Sequence, residues 1–311
     1  MNYPVSQFIT LNPAIPDSVA VNGYLNASIS ANTWRAYRDD LKHFQAWGGT
    51  LPATPEQIAS YLAHYAPKHT VATLTRRLAS LSKLHNAQQW ANPVSTALVR
   101  STFQGIRNQH GMKQRQVAPA IKEDILAMVR NLQGIKGIRD KALLLIGFAG
   151  AFRRSELASL QYCDIEHVQQ GILVYLRRSK TDQAGQGRKI AIPYARGAIC
   201  PVISLREWLE HSGITEGPIF RSINRHGHIG EQAITSQSIA LVIKERAAAA
   251  GLDATQYSGH SLRAGLVTSA AQAGISSWKI RQQTGHKSDA MLQRYIRDAN
   301  IFTDNAAGGV L

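Results

Sequence analysis

Hydrophobic positions recur at helical spacing through the first third of the chain. Trp34, Tyr37, Leu41, Phe44 and Trp47 repeat every three or four residues until Gly48, which predicts a half-buried helix from Asn32. Thr54-Pro55-Glu56-Gln57 supplies an N-cap, a proline at the first helical position and a glutamine able to close a capping box, ahead of Ile58, Tyr61, Leu62 and Tyr65. Val71, Leu74, Leu78, Leu81 and Leu84 form a third stripe. Asn92-Pro93 opens a fourth, carried by Val94, Leu98, Phe103 and Ile106. Four amphipathic helices with short links predict a small all-α bundle over 17–110, preceded by a flexible arm, 1–16, that is polar and aperiodic.

Periodicity stops after Asn108, where small, polar and basic residues take over, and 111–120 is expected to be a linker between two domains. The second domain, 121–297, opens with helices near 122–132 and 138–152. Residues 171–178 then alternate as a strand, 179–187 form a loop and 188–193 the return strand. Helices near 204–211 and 235–251 read as scaffold. The fold class expected is mainly α with a small β-sheet (α+β) in the second domain.

Between Ser258 and Tyr295 three short helices are expected. His260 and Arg263 are three apart in Gly-His-Ser-Leu-Arg and would share a helical face, with Leu262, Leu266, Val267 and Ala270 inward until Gly274. Ser276 or Ser277 caps the second helix and Gly285 closes it, which places His286 in a tight turn. Ser288 caps the third, with Met291, Leu292, Tyr295 and Ile296 inward. Two histidines, an arginine and a late tyrosine suit an anionic ligand and a hydroxyl nucleophile. A guanidinium fork matches two phosphate oxygens, and nearby cations lower the cost of a phenolate.

Composition narrows the partner. With 311 residues, 44% hydrophobic and 18% charged, the chain is long enough for two packed domains. A net charge of +15 points to a polyanion, and nucleic acid outranks an anionic membrane because no basic amphipathic anchor or membrane-length apolar run is visible. Both domains are basic: residues 1–115 hold 11 Lys and Arg against 4 Asp and Glu. Arg35, Arg38, Lys42, Lys68, Arg76, Arg77, Lys83, Arg100 and Arg107 are expected on exposed faces of the first domain. Of these Arg35, Arg38, Lys42, Arg76, Arg77 and Lys83, with Lys113 and Arg115 of the linker, are the candidate contacts to DNA backbone. Cys163 and Cys200 form neither a CxxC pair nor a disulfide framework, which suits a reducing, cytoplasmic compartment. The histidines lack carboxylates or cysteines at metal-ligand intervals, so no metal site is expected.

Each of these residues also has an ordinary reading. Arg153 and Glu156 make a common i, i+3 ion pair, Lys180 a soluble hairpin lysine, and Tyr295 a core aromatic with a wet hydroxyl. Their joint occurrence, in the order Arg153, Lys180, His260, Arg263, His286 and Tyr295, resembles the tyrosine recombinase (phage integrase) family. Residues 258–297 are especially similar to Cre-type recombinases, although a tryptophan stands in Cre where this chain has His286.

The resemblance implies a helical core-binding domain and a catalytic domain closing as a C-shaped clamp on double-stranded DNA. Tyr295 would be the nucleophile, forming a 3'-phosphotyrosyl link. Arg153 and Arg263 would bind the nonbridging oxygens, and Lys180 would protonate the leaving 5'-oxygen, with Arg178 or Lys189 as alternatives. His260 would accept a proton, His286 would donate to phosphate, and Glu156 would orient Arg153 or a histidine. No cofactor, metal or ATP is implied. The expected assembly is a homotetramer on an inverted-repeat recombination site, a monomer when free, without membrane contact. The short segment before the first helix leads us to expect no arm-site DNA-binding domain. The tail, 298–311, is expected to dock Ile301 and Phe302 on a neighbouring subunit. Two other readings are a helix-turn-helix regulator without catalysis and a type IB topoisomerase.

Overall fold

Capping side chains begin three of the helices in the first unit, Met1–Arg115, of the computed structural model. The structure describes residues 18–111, 117–177, 187–197, 199–286, 288, 292 and 295. Helix α1 spans Ser18–Ala27. Helices α2 (Ala31–Ala46), α3 (Pro55–Tyr65) and α4 (Val71–Ala87) follow Ser30, Thr54 and Thr70. Each of those hydroxyls accepts from the backbone N–H three residues on, at 3.3 Å. Gln57 Oε1 accepts in turn from Thr54 N, completing the capping box. A 3-10 turn over Pro93–Ser95 leads into α5 (Ala97–His110). Helices α2 and α4 pack together, as do α3 and α5, around Leu41, Phe44, Ile58, Leu62, Leu74, Leu81 and Leu84. Each such buried side chain contributes about 2 kcal/mol.

The structure differs from the sequence reading at three places in this unit. The fourth helix does not start at Pro93, because the 3-10 turn shifts the register; Leu98 is 46% exposed while Val99 is 1% exposed and takes the inward place. Helix α1 was not signalled by any periodic stripe, and its Val19 and Tyr24 are exposed. Arg77 is not on an exposed face: it is buried, 3.8 Å from Asp40, with its guanidinium over the rings of Tyr61 and Tyr65. Arg76 takes the outer position and chelates Asp40 at 2.7 and 2.9 Å.

The second unit, Gln116–Leu311, is built on a central helix. Helix α6 (Lys122–Val129) ends earlier than the apolar pattern suggests, and Asn131 adopts a positive φ of 61° in the turn that follows. Helix α7 (Gly134–Ala149) buries Ala142, Leu143, Leu144, Leu145 and Ile146 together and is covered by neighbours on most sides. Beyond it come α8 (Arg154–Ser159) and an antiparallel sheet of β1 (Ile165–Val168), β2 (Gly171–Leu176) and β3 (Arg188–Pro193), in that order. Tyr175 pairs with Lys189 and Leu176 with Arg188. Helix α9 (Pro201–Ser212), the hairpin β4 (Arg221–Ile223) and β5 (Ile229–Ala233), and α10 (Ser236–Ala249) complete the scaffold. Helices α11 (Ser261–Gln272) and α12 (Ser277–Thr284) follow, and Leu292 and Tyr295 have helical backbone. Strands β1, β4 and β5 are short and half-exposed, which leaves little alternation to read in the sequence. Among the described residues no helix is long and apolar enough to cross a membrane.

Candidate active site

Helix α11 carries two of the candidate residues, and a glycine lets it seat deeply. A Cβ on Gly265 would lie 1.7 Å from Ala120 O, so only glycine permits the approach in which Ala120 N donates to Ser261 O at 2.9 Å. His260 stands at the N-cap and Arg263 one turn inside. Arg263 is 1% exposed and donates from Nη1 to Ala151 O at 2.8 Å. Arg153 and Glu156 form the i, i+3 ion pair, but not from two turns of one helix, because Arg153 is the N-cap residue of α8. Glu156 reaches back instead: Oε2 accepts from Arg153 N at 2.9 Å and Oε1 from Arg153 Nη1 at 2.6 Å. One carboxylate thus caps the helix and holds the guanidinium.

Gly285 ends α12 in the left-handed region, φ 68°, and turns the chain so that His286 faces Arg263. Arg263 Nη2 lies 3.3 Å from His286 Nε2, and Thr284 Oγ1 lies 2.7 Å from His286 Nδ1. On the other side of the cluster His260 Nε2 is 3.1 Å from the Tyr295 oxygen. Tyr295 itself packs against the small core of Val267, Ala271, Ile280 and Leu292.

Cations dominate this site. Arg153, Arg188, Arg263, His260 and His286 share it with the single acid Glu156, among the described residues. Burial, then Arg263 and Arg153, lower the pKa of His260 although the residue keeps an exposed edge. Burial, then the same arginines, His260 and Arg188, push His286 down to about 3. Arg263 itself is pushed to about 10 by burial and by Arg153, so it stays charged at neutral pH. Three arginines facing one carboxylate, with two neutral imidazoles beside them, leave an excess of positive charge and N–H donors that suits a tetrahedral anion.

Arg188 joins the cluster without belonging to any of the sequence motifs, although the sequence carries a signal for it. It lies in register with Ile190 and Ile192 on the inward face of β3, a costly place for charge. Its Nη1 donates to Gln283 O at 3.0 Å, Nη2 is 4.0 Å from Glu156, and Nε and Nη2 are buried without a hydrogen-bond partner among the described residues. Lys189 faces the other side of the sheet, with Nζ 5.0 Å over Tyr175, and so does not enter the cluster. Lys180 and Arg178 lie outside the described residues, as do Met291, Ile296, Lys113, Arg115 and the tail 298–311. In the first unit Arg35 and Lys42 are exposed, Arg38 and Lys83 half-buried, and Arg76 is half-exposed while paired to Asp40.

Residues 120–300 match the Phage integrase family, and residues 24–92 match the phage integrase N-terminal SAM-like domain. The chain is 42% identical over 293 residues to the integrase/recombinase xerD homolog of Selenomonas ruminantium, covering 91% of this chain and 86% of that one. It is 23% identical over 308 residues to recombinase Cre of Escherichia phage P1, covering 89% and 87%. A solved structure described as a lambda integrase tetramer bound to a Holliday junction superposes with a TM-score of 0.62 at 21% identity, over 97% of this chain and 83% of that one. With both domain models matched and a relative at this identity along nearly its whole length, the chain belongs to the phage integrase family of tyrosine recombinases.

Proposed function

We propose that this site-specific recombinase cuts and rejoins DNA through a covalent 3'-phosphotyrosyl intermediate on Tyr295. The observation that carries the reading is the 3.1 Å contact between the Tyr295 oxygen and His260 Nε2, beside Arg263 and Arg153. The phenolic oxygen attacks the scissile phosphorus and its proton passes to His260. The bond from phosphorus to the 5'-oxygen breaks, and Lys180, which falls between β2 and β3 in the sequence, protonates the departing oxygen. Arg153 and Arg263 stabilise the charge that accumulates on the nonbridging oxygens. Glu156 orients Arg153. A 5'-hydroxyl from a second strand then reverses the attack, so the energy of the broken bond is kept in the ester and ATP is not consumed. Fixed side-chain cations supply the charge neutralisation that metal ions give elsewhere.

The substrate proposed is double-stranded DNA with inverted binding arms, bound by a homotetramer that assembles from monomers on the site. Arg35, Arg38, Lys42, Arg76 and Lys83 of the first unit, with Lys113 and Arg115, supply backbone contacts. An apolar cavity of about 480 Å³ in the second unit, lined in part by Leu126, Phe148, Tyr194 and Ile275, suits the tail residues Ile301 and Phe302 of a neighbouring subunit. A suicide substrate nicked beside the scissile phosphate tests the chemistry. The expected result is a DNA-linked protein band that disappears in Tyr295→Phe while DNA binding persists; binding with no adduct in the wild type sinks the reading. Relaxation of supercoiled DNA without any specific site would favour a type IB topoisomerase.

A further inference from the structure

Thr284 is fully buried at the end of α12, two residues before His286, and the recombinase reading gives it no task. Its surroundings nevertheless decide where His286 keeps its proton. A guanidinium has donors only, so Arg263 Nη2, 3.3 Å from His286 Nε2, requires a lone pair on that nitrogen. A neutral imidazole carries one proton, which is then on Nδ1. Nδ1 lies 2.7 Å from Thr284 Oγ1, and the threonine hydroxyl donates its own proton to Ile280 O at 2.8 Å. The bonds therefore run in one direction, from Arg263 to His286 to Thr284 to Ile280.

We propose that Thr284 is a positioning residue that fixes His286 in its Nδ1–H tautomer, so that the proton with which His286 meets a phosphate enters from outside, at Nε2.

The groups facing the ring agree with this direction. Arg263 and His260 approach from α11, Arg153 from the start of α8 and Arg188 from β3, and Arg281 of α12 donates to the His286 carbonyl at 3.4 Å. Burial first, then Arg263, Arg153, His260 and Arg188, keep the ring neutral at neutral pH. In that form Nε2 presents a lone pair, which repels an anionic oxygen. A phosphate that draws Arg263 Nη2 to itself brings negative charge to Nε2 and raises the proton affinity of the ring there. Nδ1 is a donor in both the neutral and the cationic form, so its bond to Thr284 survives proton uptake and favours the cation.

This functional half rests on the recombinase reading; the tautomer does not. Histidine-selective nitrogen-15 spectra of the full-length protein, with the His286 signal assigned by its loss in His286→Gln, read the tautomer directly. The expected result is Nδ1–H in the wild type and in Thr284→Ser, and a loss of that pattern in Thr284→Val. In single-turnover cleavage of a nicked DNA duplex, Thr284→Val is expected to slow the reaction about tenfold, the worth of one hydrogen bond to a charged group. DNA affinity should be unchanged and Thr284→Ser should restore the rate. The wild type should slow as pH rises through the proton-uptake step, and Thr284→Val should lose that limb. An Nε2–H ring in the wild type, or a Thr284→Val protein with the wild-type spectrum and pH profile, overturns the proposal. A wild type with the expected tautomer that forms no DNA adduct supports the Thr284 assignment and removes the recombinase reading instead.

Discussion

His260 Nε2 and the Tyr295 oxygen stand 3.1 Å apart, within reach for a direct proton transfer. Burial, Arg263 and Arg153 all disfavour the imidazolium, so His260 is neutral at neutral pH and able to accept the phenolic proton. A base works only while unprotonated, and a lowered pKa moves its acid limb down. The acid limb of adduct formation is therefore expected below the ordinary histidine range, about 6.5. His260→Ala should slow single-turnover cleavage by roughly 100-fold and abolish that acid limb. An acid limb that survives unchanged in the variant would assign the proton to another group.

Glu156 is the one described carboxylate in a cluster of cations, and both its oxygens are engaged by Arg153. Glu156→Ala removes the cap of α8 and leaves Arg153 and Arg188 without their counter-charge. Breaking a buried pair in this way costs about 3 kcal/mol, measurable by urea unfolding. Glu156→Gln keeps one acceptor and should cost roughly 1 kcal/mol. Both should slow cleavage, because the Arg153 fork loses its orientation. Unfolding midpoints equal to the wild type in both variants would contradict this role.

Much of this arrangement was legible along the chain because it depends on local chemistry. Thr54 to Gln57 announces the start of α3, and Gly285 announces the end of α12 and the turn that presents His286. Local rules failed where three-dimensional context decides. The 3-10 turn at Pro93–Ser95 moves the inward position from Leu98 to Val99, a one-residue slip that periodicity reads through. Arg76 and Arg77 are adjacent and chemically alike, yet only Arg77 is drawn beneath Tyr61 and Tyr65. Thr284 matters only because Arg263, 21 positions earlier in the chain, fixes the other side of the imidazole.

Arg188 offers a test that separates positioning from stability. Its Nε and Nη2 are buried and lack hydrogen bonds among the described residues, so replacing it with methionine, which fills similar space, should change stability by no more than about 1 kcal/mol. Cleavage should nevertheless fall, because the link from β3 to the Gln283 carbonyl goes and the anion site loses a charge. A rate loss with unchanged unfolding supports that role. Large destabilisation, with normal activity in the folded fraction, would make Arg188 structural only.

Two glycines, each inside a helix, should respond to the same substitution with opposite sign. Gly105 lies exposed in α5, with nothing within 4 Å of an added Cβ. Alanine there reduces the freedom of the unfolded chain and is expected to stabilise the protein by about 0.5–1 kcal/mol. At Gly265 the added carbon meets Ala120 O at 1.7 Å, and backbone cannot step aside as a flexible side chain does. Gly265→Ala must push α11 away from Ala120, weakening the bond from Ala120 N to Ser261 O and costing about 2–3 kcal/mol. Because His260 and Arg263 ride on that helix, cleavage should fall even at temperatures where the variant stays folded. Thermal unfolding of the two variants, paired with single-turnover cleavage, checks both signs; a Gly265→Ala protein as stable and as active as the wild type would show that the close approach of α11 to Ala120 does not set the site.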